Sequence, residues 1–212
     1  MPDSQSVMNA LPAGFYRRDA MEVARDLLGQ RLVRGLDGRR AAGLVVETEA
    51  YRGESDLACH ARAGRTKRTE VMYGPPGRAY VYLIYGMYWC LNAVTCPEGE
   101  PAAVLIRAIW PIEGLDWIAG NRPGAPPHRW ADGPGKLCRA LQIDGRLNAS
   151  PLTDPASGLW IEPGPSVSED IVRRGPRVGI QSVPEPWRSQ PWRFWIEPPD
   201  LTISPVYGIN ET

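Results

Sequence analysis

The chain has 212 residues with 24 Lys and Arg against 24 Asp and Glu, so its formal net charge is zero and the overall balance marks neither a polyanion binder nor a membrane-surface protein. With 43 % hydrophobic residues and 8 Trp it can bury a core without metal or disulfide staples, which excludes a disordered chain, while 22 Gly and 22 Pro predict many turns and long loops. Cysteines 59, 90, 96 and 138 form no C-x-x-C pair, His60 and His128 are the only histidines, and no stretch reaches the roughly 18 apolar residues of a membrane span, so no metal, no cofactor, no membrane contact and a reducing cytoplasmic setting are expected.

Residues 1–15 are expected to be a flexible tail. Asp19 followed by Glu22 is a capping arrangement, and Val23, Ala24, Leu27 and Leu28 then form one helical stripe that stops at Gly29. Leu32-Val33 and Leu44-Val45-Val46 read as antiparallel strands joined by the Asp37-Gly38 turn, the second ending at Glu47-Thr48-Glu49. From 52 to 78 the pattern breaks into a folded loop closed by Gly74-Pro75-Pro76-Gly77, with room for a helical turn. Between 60 and 80 Arg62, Arg65, Lys67, Arg68 and Arg78 face only Glu70, a local basic face in a neutral chain.

Residues 79–85 and 88–95 are β-rich runs around the Gly86-Met87 turn, and 102–109 is a third, which together predict a meander. A helix is expected over 112–119, a Pro-rich surface loop over 120–132, and a second helix after Gly133-Pro134-Gly135 with Leu137, Cys138 and Leu141 on one side. Short strands are expected at 158–162, 177–180 and 192–196, and a second flexible tail at 200–212. Strands and helices do not alternate regularly. The expected fold is therefore α+β, a single domain over 1–212 with a curved antiparallel sheet, flanking helices and a protruding β-hairpin.

The Walker loop, G-x-S-x-G, H-E-x-x-H, zinc-deaminase and dinucleotide fingerprints are all missing, so the chemistry must lie elsewhere. Glu47 and Glu49 are two apart on a strand, hence on one face with Cα atoms roughly 6.6 Å apart. Such a pair reads as a solvated strand end, as a salt bridge to an arginine, or as carboxylates placed to activate water beside Tyr51. Tyr80 and Tyr82 share a strand face, by default a packing face, and Tyr85 stands at the turn.

Glu47-Thr48-Glu49-Ala50-Tyr51, then His60, then M-x-G-P-P-G-x-A-Y-V-Y-L-I-Y-G-M, then VLIRA, GPGKL and WRFWI follow one another in an order that resembles the alkyladenine (3-methyladenine) DNA glycosylase family. The resemblance implies an enzyme that flips alkylated or deaminated purines from double-stranded DNA and hydrolyses the N-glycosidic bond. By the same resemblance Glu49 deprotonates the attacking water and Arg107 helps hold it. Tyr51, His60 and Tyr82 wall the base pocket, Asn92 obstructs the exocyclic amine of guanine, and Tyr85 wedges into the duplex. Met87 at the hairpin tip, Arg65 and Arg68 in the basic loop, and Lys136 at the second helix start are the further expected DNA contacts. The protein is expected to act as a monomer. Thr69 after Arg68, where many family members have Asn, and Trp89 after Tyr88 raise the question of a different outer pocket wall. Two rivals remain at this stage: a carbohydrate hydrolase using both Glu47 and Glu49, and a non-catalytic nucleic-acid module using the hairpin as a stacking platform.

Overall fold

A computed structural model describes residues 10–198 of the chain. Its strands are β1 (Arg31–Leu36), β2 (Arg39–Tyr51), β3 (Ala79–Ile84), β4 (Tyr88–Val94), β5 (Ala103–Glu113), β6 (Leu159–Glu162), β7 (Arg173–Gly175) and β8 (Arg193–Trp195). The helices are α1 (Ala13–Tyr16), α2 (Ala20–Asp26), α3 (Leu115–Asn121) and α4 (Pro134–Ala140). The strands join in one antiparallel sheet of order β3-β4-β5-β2-β1-β6, with β8 pairing β2 and β7 pairing β8. This is the α+β arrangement expected.

The capping reading of α2 holds: the Asp19 carboxylate accepts from the Met21 N–H at 2.8 Å, and Val23, Ala24, Leu27 and Leu28 are buried. Thr48 ties the helix to the sheet by donating its hydroxyl to the Ala24 carbonyl at 2.7 Å. β2 organises the rest. One of its edges pairs β5 along its length, while the other changes partner, with β1 opposite residues 39–44 and β8 opposite 47–49. Register shifts between Val45 and Thr48 bend the strand where the change occurs, which curves the sheet.

Three expectations are corrected. Residues 112–113 belong to β5 rather than to a helix, because β2 still offers Ala42 as a partner to Glu113; Gly114, at φ 68°, breaks the strand and α3 starts after it. Residues 177–180 are not a strand, since the Val178 N–H is bonded to the Glu49 side chain instead of to a ladder; β7 lies just before them. Within the expected N-terminal tail, residues 10–15 are held: Leu11 is buried and its N–H donates to the Ile161 carbonyl at 2.7 Å. Residues 1–9 and the expected tail over 200–212 lie outside the described residues. Among the described residues no helix is long and apolar enough to cross a membrane.

Candidate active site

Period-two alternation builds the site. On β3, β4 and β5 the residues Tyr80, Tyr82, Asn92, Leu105 and Arg107 face a cavity of about 620 Å3, while Val81, Leu91, Ala93, Val104 and Ile106 face the core. The 52–78 loop, which forms 3-10 turns at His60–Ala63 and Glu70–Tyr73, covers one side, and residues 178–183 cover another. Cys59, Ala61 and Met72 bury themselves against Tyr80 and Ala103, so the loop is packed onto the sheet by its own small apolar cluster.

Glu49 has no exposed surface and lies behind the cavity wall, in contact with three residues that line it. One carboxylate oxygen accepts from the Val178 N–H at 2.7 Å and lies 3.3 Å from Arg107 Nη1; the other accepts from the Tyr51 hydroxyl at 2.8 Å. Tyr51, Arg107 and Val178 all line the cavity. Burial raises the Glu49 pKa above the ordinary carboxylate value, although Arg107, the Val178 N–H and the Tyr51 hydroxyl each pull it down. Tyr51 is pushed up by burial and by Glu49, so its hydroxyl stays protonated and remains a donor. Arg107 stays charged, held by Glu49 and by Glu47 Oε1 at 2.9 Å from its Nε. Glu47 also accepts from Arg193 Nη1 at 3.2 Å; neither carboxylate lines the cavity itself, Glu49 being held by three of its wall residues and Glu47 by one, Arg107.

The aromatic end is made by His60, Tyr80 and Tyr82. His60 Nδ1 is 2.9 Å from Tyr80 Oη, and its ring meets Tyr82 edge-on at 4.6 Å between centroids. Burial, reinforced by Arg68 and Arg62, lowers the His60 pKa to about 4, so the ring is neutral near pH 7. Asn92 is buried and donates its amide N–H to the Tyr80 carbonyl at 3.0 Å, which fixes its orientation at the cavity wall. Thr69, the departure noted above, is buried as a loop staple: its hydroxyl donates to the Gly64 carbonyl at 2.9 Å and accepts from the Thr66 N–H at 2.8 Å. Trp89 does not form the cavity wall. It packs toward the core on the opposite face of β4, against Gly145.

At the rim stand Tyr85, 77 % exposed, and Met87, 64 % exposed, with Tyr85 lining the mouth. Arg68 also reaches the cavity. Arg65 and Lys136 do not line it; they are tied to Glu70 at 3.4 Å and to Asp132 at 2.8 Å. Sequence reasoning missed Asp56 and Arg177, a buried bidentate pair at 2.5 and 2.9 Å whose guanidinium carbon also lies 4.7 Å from the centroid of the Tyr51 ring. The pair fixes the chain just before Val178, the residue whose N–H holds Glu49. No local pattern marks it, because its members are 121 residues apart. Among the described residues no three His, Cys, Asp or Glu side chains gather as a metal group.

A family model of methylpurine-DNA glycosylase matches residues 14–199, which includes every residue of the site. The chain belongs to that family. It is accordingly a DNA glycosylase, a hydrolase of N-glycosyl bonds working in base-excision repair. Relatives agree over nearly the full length. A protein of Myxococcus xanthus is 50 % identical over 89 % of this chain and 91 % of its own, and one of Methanocella arvoryzae is 53 % identical over 89 % and 92 %. One of Desulfitobacterium hafniense is 46 % identical over 90 % and 96 %. All three bear the provisional name 3-methyladenine DNA glycosylase.

Proposed function

We propose that the enzyme, acting as a monomer on double-stranded DNA in the cytoplasm, flips alkylated or deaminated purines of the 3-methyladenine, 7-methylguanine, hypoxanthine and ethenoadenine class into the cavity and releases them as free bases. The observation that carries this reading is the buried Glu49 carboxylate behind the wall of an aromatic cavity: the Val178 N–H and the Tyr51 hydroxyl donate to it and Arg107 pairs with it at 3.3 Å, which leaves acceptor capacity for a water. Glu49 accepts the proton of that water as its oxygen bonds to the sugar carbon, and the electron pair of the breaking bond leaves with the purine. Arg107 holds the water and keeps its charge because Glu47 remains its partner. Tyr51, His60 and Tyr82 stack on the base, Asn92 meets the position of a guanine amine, and Tyr85 fills the gap left in the duplex. Met87, Arg65, Arg68 and Lys136 contact the DNA around it.

The test is base release from duplexes carrying each lesion, read as strand cleavage after hot alkali. Wild type releases the base, and Glu49→Gln binds the same duplex but releases nothing measurable, because an amide cannot take the water's proton. Near-normal release by Glu49→Gln refutes the mechanism. Equal loss on Glu47→Gln brings back the two-carboxylate reading.

A further inference from the structure

Two basic-loop side chains line the cavity, Arg62 and Arg68, and of these Arg68 lies on the ring of Tyr82. Its guanidinium carbon lies 5.2 Å from the centroid of the Tyr82 ring, both residues line the cavity, and its charge also acts on Tyr80 and His60. Among the described residues no carboxylate pairs with it, whereas Arg65 has Glu70 and Lys136 has Asp132. The negative charge behind the cavity wall is already committed, Glu49 to Arg107 and Glu47 to both Arg107 and Arg193. The aromatic end of the cavity is thus left with uncompensated positive charge. Thr69 keeps it there by stapling the 64–69 loop from within.

From this arrangement we propose that Arg68 sets the charge preference of the pocket, favouring neutral purine lesions such as hypoxanthine over cationic ones such as 7-methylguanine. The proposal rests on the base-release reading above and assigns the substrate class within it. Two effects act in the same direction. A cation on the Tyr82 π-face competes with, and repels, a cationic base that would draw its binding from that face. At bond cleavage the electron pair passes to the purine; a cationic lesion leaves neutral, while a neutral lesion gains negative charge that a nearby guanidinium stabilises. Arg68 therefore weakens the intrinsic advantage of alkylated bases as leaving groups and assists the harder neutral ones.

The experiment is single-turnover release of hypoxanthine and of 7-methylguanine from duplexes of one sequence by wild type, R68Q and R68K. The reading is the ratio of the two rates within each protein, which loss of folded protein or of a phosphate contact does not change, because both lower the two rates together. R68Q raises the ratio of 7-methylguanine to hypoxanthine release by about tenfold, and R68K, which keeps the charge, stays within about twofold of wild type. An unchanged ratio in R68Q overturns the proposal while leaving base release intact, and so does an equal rise in R68K. A wild type that releases neither base fails one step earlier, at the functional reading, and takes the proposal with it.

Discussion

Glu49 is the residue at which burial and hydrogen bonding compete over a single proton. Burial wins, so the folded protein binds that proton more tightly than the unfolded chain does. The sign follows: the group favours the fold at low pH, where it is protonated in both states, and that contribution is lost as pH rises from the unfolded pKa through the raised folded one. At neutral pH its charge is a cost, and Glu49→Gln removes it while Arg107 keeps Glu47 at 2.9 Å. Glu49→Gln therefore melts no lower than wild type at pH 7 to 8 by calorimetry, although it is inactive. A clear drop in melting temperature would mean that Arg107 needs Glu49 more than Glu47. The catalytic profile carries the same sign. Base release rises along an acid limb centred above the ordinary value of 4.5, and His60, neutral down to about pH 4, adds no second limb above it. A limb at or below 4.5 contradicts this balance. Period two alone put Glu47, Glu49 and Tyr51 on one strand face, while the choice of Glu49 as the working carboxylate came from the family resemblance. The Val178 N–H that completes the carboxylate's shell was not legible in the sequence, since a backbone donor from a distant loop has no residue-type signature.

At the scale of elements, the β3–β4 hairpin was readable because its chemistry is local. Two β-rich runs flank a short turn, and Tyr85 and Gly86 take φ values of 55° and 69°, the left-handed pair that a tight hairpin of this twist requires. The 177–180 segment was not readable, because its β-branched residues suit a strand while its backbone is spent on Glu49 and its Arg177 on Asp56. Tertiary partners overrode a local preference there. The hairpin also carries a prediction. Tyr85 is 77 % exposed and sits at a positive φ that non-glycine residues rarely take, so its side chain earns nothing from the core. Tyr85→Ala keeps the melting temperature and loses about ten- to one-hundredfold in lesion-duplex binding or single-turnover release, the size of one lost stacking contact. The loss is smallest where the lesion is mispaired and already easy to unstack. Equal loss opposite every base, together with a fall in melting temperature, would make Tyr85 a packing residue instead.

The whole molecule assembles its cavity from β2, β3, β4, β5, the 52–78 loop and the 178–183 segment, so no single stretch of sequence contains it. The α+β class and the meander were legible because β3, β4 and β5 are β-rich runs bounded by turns. The partner change along β2 was not, because it depends on β8, a strand of three residues whose only signal is a short aromatic run. Charge behaves likewise: the net value is zero, yet Arg62, Lys67 and Arg68 stand in the loop over the cavity with no ion pair among the described residues, while Arg65 and Lys136 are paired. A neutral molecule with a local basic face binds DNA through a few phosphates rather than through its overall field. Three free cations, and up to two more if Glu70 and Asp132 release theirs, give a slope of about −3 to −4.5 in log K against log salt concentration for duplex binding. Lys67→Ala or Arg62→Ala lowers the magnitude of that slope by about one, whereas Arg65→Ala or Lys136→Ala changes it less, because each frees a carboxylate at the same time. Fluorescence anisotropy titrations over a range of salt concentrations read the slope directly. A slope near zero, or larger losses from the paired cations than from the free ones, would move the DNA-binding face away from the 62–68 loop.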